Sequence, residues 1–135
     1  MAPSTLLSTG IIVLVYLTIA FGGTFLLRVF SGGFPANDLQ KSFFRAGHAH
    51  AGVLVTLGLV IRLLLTDPRV PDWSRTLGDF VLWSAILMSA GFFLTAIGRD
   101  PQKPNGFIAV LWLGVASLAL GLVGAGVGLI VAGTA

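Results

Sequence analysis

Four long apolar stretches dominate this sequence and restrict what it can fold into. They run from about Leu6 to Phe30, Phe43 to Leu65, Leu77 to Ile97 and Gly106 to Ala132. Each is long enough to cross a hydrocarbon core of about 30 Å, which takes roughly 20 helical residues. Because a segment in lipid must satisfy its own backbone hydrogen bonds, helix is the expected conformation. The sequence therefore predicts an all-α integral membrane protein, with one domain over residues 1–135.

The composition agrees with this prediction and excludes several classes of protein. Hydrophobic residues make up 56% of the chain and charged residues only 10%, whereas a soluble domain carries about 25% charged residues. The absence of cysteine excludes disulfides and thiolate metal sites. The basic residues are scattered over helix ends, whereas a nucleic-acid interface needs a clustered stripe. We therefore expect membrane lipid, and no nucleic acid, as a partner.

Three short polar loops separate the apolar stretches. They cover residues 31–38, 66–72 and 99–106, and each contains Pro together with Asp or Asn, which is typical of turns. Short loops predict an antiparallel, up-down-up-down bundle of four helices with both termini on the same side.

The distribution of Lys and Arg predicts the orientation of this bundle. The end with the first and third loops carries five of them, whereas the other end carries Arg62, Arg69 and Arg75; the five are Arg28, Lys41, Arg45, Arg99 and Lys103. Because cytoplasmic loops are enriched in Lys and Arg, the first and third loops are expected in the cytoplasm.

The fourth apolar stretch carries small residues at nearly every fourth position. They are Ser117, Gly121, Ala125, Gly128 and Ala132. Small residues at this spacing let two helix backbones approach closely in lipid. The pattern is equally compatible with packing inside the chain and with contacts between subunits of an oligomer.

Two histidines in the second stretch are the candidate metal ligands. His48 and His50 are the only histidines of the chain, and ionisable groups inside a membrane span are costly and usually functional. Two residues apart on a helix correspond to about 200° of rotation, so both rings cannot bind one ion. A haem is different, because the porphyrin supplies four nitrogens and the protein needs to give only one axial imidazole.

The face of the second helix around His50 has features suited to a flat ligand. Ala46 and Gly47 leave room there, and Phe43 and Leu54 would border a ring. Basic residues of the first and third loops lie towards the same membrane face, where they could pair with propionates.

His48 points away from His50 and shares its face with Arg45. It is either a hydrogen-bond donor near the site or a ligand to the metal of a neighbouring chain. The alternative for both histidines is a hydrogen bond across helices without a cofactor, and the spacing alone does not decide between these possibilities.

Other catalytic patterns are absent from the sequence. No Ser, His and acid set is present, because all Asp residues fall at helix ends or in loops. Tyr16 lies inside the first stretch, where it either donates a hydrogen bond into a pocket or is a packed tyrosine.

Several short segments resemble the styrene oxide isomerase family of bacterial membrane enzymes. His48-Ala49-His50-Ala51-Gly52 is similar to a family motif Arg-Ala-His-Ser-Gly on the second helix. Phe30-Ser31-Gly32-Gly33-Phe34, Ser74-Arg75-Thr76-Leu77-Gly78 and Gly91-Phe92-Phe93 match further family segments. The resemblance covers nearly the whole chain, although its motifs are short and apolar.

The resemblance implies a specific cofactor, assembly and reaction. It implies a homotrimer in the bacterial inner membrane, with haem b held between protomers and His50 as the axial metal ligand. In that family the ferric haem acts as a Lewis acid on the oxygen of a small hydrophobic epoxide, which rearranges to an aldehyde or ketone. The physical basis is that a metal stabilises developing charge on oxygen without a proton donor.

Three positions depart from the family pattern. Thr56 stands where the family has a polar Asn, Phe93 where it has a pocket Tyr, and His48 where it has the Arg before the ligand. These departures weaken the prediction of isomerase activity more than that of haem binding. The alternatives are a non-catalytic haem protein (electron transfer, haem carriage or gas sensing) and a cofactor-free structural subunit.

Overall fold

The computed structural model describes residues 3–134 and contains, within them, five helices and no strand. The helices are α1 (Pro3–Phe30), α2 (Asp38–Leu64), α3 (Asp72–Gly78), α4 (Phe80–Thr95) and α5 (Ile108–Thr134). Helices α3 and α4 together form one segment, Asp72–Thr95, of membrane-spanning length. The described chain thus has four helical segments long and apolar enough to cross a membrane. This confirms the prediction of an all-α membrane protein with four membrane-length helices.

Helix α2 begins at Asp38, earlier than the position 43 predicted from hydropathy. The cause is a capping box, in which Asn37 accepts a hydrogen bond from the Gln40 backbone and Gln40 accepts one from the Asn37 backbone. These two bonds satisfy backbone donors that the helix itself leaves free. Because the first turn of α2 is polar, a search for apolar stretches does not include it.

The other helix bounds also differ from the apolar stretches at their polar ends. The third segment begins at Asp72 instead of 77, is interrupted at Asp79, and ends at Thr95 instead of 97. Helix α1 begins at Pro3, before 6, and α5 covers 108–134 where 106–132 was predicted. Polar first turns and local turns set these ends, and hydropathy reports on neither.

The small-residue face of α5 packs inside the chain. A Cβ atom added at Gly121 would lie 2.8 Å from the backbone nitrogen of Val81, and one at Gly114 would lie 2.7 Å from that of Met88. Ser117 Oγ donates a hydrogen bond of 2.8 Å to the Phe80 carbonyl. The small side chains of this face therefore allow α5 to approach α4 closely.

Helix α1 lies outside the core that the other helices form. Buried residues come mainly from α2, α4 and α5, and Val29 is the only buried residue among those described in α1. Helix α1 packs chiefly on α2. Most of its large apolar side chains are exposed, as expected of a surface that faces lipid.

Polar contacts join the start of α2 to the loop after α4. Gln40 Nε2 donates to the carbonyls of Ala96 and Gly98, and Asn37 Nδ2 donates to Asp100 and to the carbonyl of Pro101. Gly98 has a φ of 142°, which favours glycine. The first and third loops therefore lie side by side, near the end of α2 that carries the histidines.

Candidate functional site

The two histidines project from opposite sides of α2. The His50 ring lies against Phe92 of α4, with ring centroids 4.9 Å apart. His48 faces α1 instead, where a Cβ added at Gly22 or Gly23 would lie 3.5 or 3.6 Å from its ring nitrogens. This follows from the helical rotation of about 200° between them. Only one of them can belong to a given site within the chain.

The tautomer of His50 is determined by its backbone contact. Its Nδ1 lies 2.8 Å from the carbonyl oxygen of Ala46. Since a carbonyl oxygen can only accept, Nδ1 must carry the proton in this contact. A neutral imidazole then has its lone pair on Nε2, the arrangement usual for a metal-ligating histidine. Within residues 3–134, this Nε2 has no hydrogen-bond partner.

The His50 ring lies at the edge of the packed core. The residue is half-buried, and its neighbours Ala49 and Val53 are exposed, Val53 to 65%. Ala46 is half-buried on the same side. One side of the imidazole therefore contacts α4. The other side lies beside the exposed surface of α2 that Ala46, Ala49 and Val53 form.

Three residues predicted to frame a flat ligand are instead used in packing between α2 and α4. A Cβ at Gly47 would lie 2.9 Å from the Phe93 ring, so that ring fills the space the glycine leaves. Leu54 is buried in the core, with 4% exposure. Phe43 contacts Phe92 edge to face at 5.8 Å. Room for a planar group beside His50 is thus on its outer, Ala46 side and not at Gly47.

The predicted pocket residues fall into two separate places. Tyr16 and Thr56 both donate hydrogen bonds to the Gly52 carbonyl, at 2.7 and 2.8 Å, and their hydroxyls contact each other. Phe93 lies elsewhere, stacked on Phe44 with ring centroids 5.5 Å apart. The chain therefore brings Tyr16 and Thr56 together between α1 and α2, and Phe93 does not join them.

The two ends of the bundle differ in how their charges are paired. At one end every arginine forms an ion pair: Arg62 with Asp79, Arg69 with Asp67, and Arg75 with Asp72. At the end near the histidines, no ion pair occurs among the described residues; its cations are Arg28, Lys41, Arg45, Arg99 and Lys103. With Asp38 and Asp100 as its only acids, that end has an excess of three positive charges, five minus two.

A polar cluster at the far end of α2 does not follow from the apolar pattern of the sequence. Arg62 donates to Asp79 at 2.8 Å and to the hydroxyls of Ser8 and Thr9. Asp79 lies at a helix end, as predicted, but this end is the junction of α3 and α4 inside the membrane-length segment Asp72–Thr95. The available signal was the presence of Arg62 and Asp79 inside predicted spans, where ionisable groups pair with one another.

A cavity of about 600 Å³ adjoins this cluster. Its walls combine the apolar side chains of Leu65 and Pro68 with polar and charged ones, which are Thr5, Arg62, Thr66, Arg75, Thr76 and Asp79. Across the part of the chain that the structure describes, no three His, Cys, Asp or Glu side chains gather as a metal site. Any metal bound at His50 would therefore need further ligands that a porphyrin, for example, supplies.

Comparison of the chain with protein-family models, with curated proteins and with solved structures finds no match.

Proposed function

We propose that this protein is a haem b-binding membrane protein in which Nε2 of His50 is the axial ligand. The observation that carries this proposal is the hydrogen bond of 2.8 Å between Nδ1 and the Ala46 carbonyl. It orients the ring and leaves the Nε2 lone pair available, which is how ligating histidines are generally held. His48 has no comparable backbone contact among residues 3–134.

The surroundings of His50 fit a porphyrin at a boundary between protomers. Ala46, Ala49 and Val53 present a surface of small side chains beside the ring, and a flat apolar group could pack there. Arg45 is exposed at the same end of α2 but on its His48 side, so it is a candidate partner for the propionates of a haem held by a neighbouring protomer. We propose that a second copy covers this surface in a homotrimer.

The reaction we propose is the isomerisation of a small hydrophobic epoxide to an aldehyde or ketone. When bound, ferric haem would supply a Lewis acid for the epoxide oxygen. The chain's own contribution is to hold the imidazole and to exclude water with apolar side chains, which protects a cationic carbon from hydrolysis. The hydroxyls of Tyr16 and Thr56 donate to the Gly52 carbonyl between α1 and α2, so we assign them no contact with the substrate. No acid is required near His50, in keeping with the location of every Asp in the chain.

We further propose an antiparallel bundle in the bacterial inner membrane, with both termini outside the cytoplasm. Successive contacts between α1 and α2 support the antiparallel arrangement: Ser8 meets Arg62, Tyr16 meets Thr56, and Gly22 meets His48. The larger number of Lys and Arg beside the first and third loops, five against three, supports a cytoplasmic location for those loops.

The absorption spectrum of the purified protein tests haem binding. We expect a Soret band in protein from haem-replete cells, lost in His50→Ala and retained in His48→Ala. The second variant is a matched control, because it removes an imidazole from the opposite side of the same helix. Colourless wild-type protein, or equal loss in both variants, would reject His50 as the ligand.

The isomerase activity has a separate test. Haem-loaded protein incubated with aryl and alkyl epoxides is expected to form aldehyde or ketone without added reductant. A haem-only control sets the background. If loaded protein forms no product above that background, the activity is rejected and the non-catalytic haem alternative remains.

A further inference from the structure

The cavity beside Arg62 lies at the opposite end of the bundle from the histidines. From His50 to Arg62 the distance along α2 is about 18 Å at 1.5 Å per residue. The cavity forms where α1 begins, α2 ends and α3 joins α4. Trp73 and Trp83 are exposed near this level, 46% and 59%, and exposed Trp is typical of the membrane–water interface. The cavity is therefore at one end of the membrane-length helices, where lipid headgroups are expected.

The cavity wall holds guanidinium groups with unused hydrogen-bond donors. Arg75 gives one N–H each to the Leu65 carbonyl, to Asp72 and to the Asp67 carbonyl. An arginine has five N–H donors, so two of them have no partner within residues 3–134. Such a group recognises the oxygens of a phosphate.

The same wall offers an unused acceptor. Oδ1 of Asp79 accepts both hydrogen bonds from Arg62, and Oδ2 has no partner in the described chain. The Asp79 side chain is 46% exposed, against 15% for Arg62, so the free oxygen is accessible. A carboxylate oxygen of this kind accepts from an ammonium group.

We propose that this cavity binds the headgroup of a zwitterionic phospholipid with a primary ammonium, namely phosphatidylethanolamine. Arg75 contacts the phosphate and Oδ2 of Asp79 accepts from the ammonium. A purely anionic headgroup would meet the Asp79 carboxylate, and a trimethylammonium group has no N–H to donate. The cavity therefore distinguishes headgroups by chemistry, independently of any cofactor at His50.

Native mass spectrometry of the intact protein in detergent tests this proposal. The probes are phosphatidylethanolamine, phosphatidylglycerol and phosphatidylcholine with identical acyl chains, together with inorganic phosphate. We expect phosphatidylethanolamine to bind about tenfold more tightly than the other two lipids, the effect of one hydrogen bond to a charged group. Equal occupancy for the three lipids would overturn the proposal. This comparison is made on the wild-type protein alone. Displacement of the lipid by millimolar inorganic phosphate would reveal a free-anion site and also overturn it.

Variants assign the two contacts. Arg75→Gln is expected to lower binding of all three lipids, whereas Asp79→Asn is expected to abolish only the preference for phosphatidylethanolamine. Arg69→Gln is the matched control, because Arg69 is an ion-paired arginine of the same loop region that does not line the cavity. Equal effects of Arg75→Gln and Arg69→Gln, in folded protein, would contradict the assignment.

Discussion

Individual polar side chains hold α1 against the rest of the chain. Its packing is sparse, yet Tyr16 reaches the Gly52 carbonyl and the hydroxyls of Ser8 and Thr9 accept hydrogen bonds from Arg62. In lipid, apolar side chains gain little by leaving the surrounding acyl chains, so hydrogen bonds between helices carry more of the specificity. These few residues therefore determine where α1 docks.

Tyr16→Phe tests the contribution of one such bond. Loss of the hydroxyl removes the hydrogen bond of 2.7 Å to Gly52, and we expect the free energy of unfolding to fall by about 0.5–1.5 kcal/mol. Unfolding in mixed SDS micelles, followed by circular dichroism, measures it. Thr18→Val is the control, since its hydroxyl bonds only to Val15 of its own helix. Equal changes in the two variants would contradict a role for Tyr16 in docking α1.

Asp67, in the loop after α2, has a pKa of about 2, below its ordinary value of 3.8. The main cause is a hydrogen bond from the Arg69 side chain, followed by one from the Arg69 backbone. Because the folded-state pKa is lowered, the stabilising effect of the pair is complete above pH 3.8 and is lost as the pH falls through 2.

Arg69→Gln is expected to raise the pKa of Asp67 towards 3.8, because the charge and the guanidinium donors that bond to Asp67 are removed and the shorter amide carries no charge. An NMR titration of the Asp67 carboxyl carbon in micelles measures this change. Arg99→Gln, in the third loop, is the control. A pKa that stays at about 2 in Arg69→Gln would show that another group lowers it.

At the scale of helices, close approach of α5 to α4 depends on glycines whose partners are backbone atoms. A Cβ at Gly121 would lie 2.7 Å from a Val81 side-chain carbon and 2.8 Å from its backbone nitrogen. A backbone atom cannot move aside as the end of a flexible side chain can, so this contact cannot be relieved locally.

We therefore expect Gly121→Ala to destabilise the protein by about 1–3 kcal/mol. Gly126→Ala, on the same helix with no atom within 4 Å of the added Cβ, is expected to be neutral or slightly stabilising because alanine favours helix. Thermal unfolding in detergent compares the two. Similar behaviour of both variants would show that α5 does not pack through Gly121.

Hydropathy was sufficient to predict the four membrane-length helices, because apolar residues predominate along each span and ionisable ones are few. It could not find the capping box at Asn37 and Gln40, since that depends on side-chain geometry in a polar turn. Periodicity placed His48 and His50 on opposite sides of α2. It could not show that Phe93 fills the space at Gly47, because the register between α2 and α4 is a property of tertiary packing. For the same reason Tyr16 and Thr56 were candidates without a known relation to each other.

At the scale of the whole molecule, charge pairing separates the two ends. One end has three arginines, each in an ion pair. The other has cations without carboxylate partners among the described residues, where anionic headgroups can neutralise them. That end also has more Lys and Arg, five against three, which favours its retention in the cytoplasm.

Single cysteines test the predicted orientation, because the natural chain has none. Gln102→Cys and Thr66→Cys introduce thiols at exposed positions of the third and second loops. In intact bacterial cells with a permeable outer membrane, an impermeant maleimide is expected to label position 66 and not position 102. Labelling of position 102 alone would show that the orientation is the reverse of the predicted one.

Chemical rescue of His50→Gly is the sharpest test of haem ligation by the imidazole of His50. We predict that His50→Gly is isolated without a Soret band, and that free haem with added imidazole restores the wild-type spectrum. His48→Gly should need no imidazole. A His50→Gly protein with full haem occupancy before rescue would show that His50 is not the ligand.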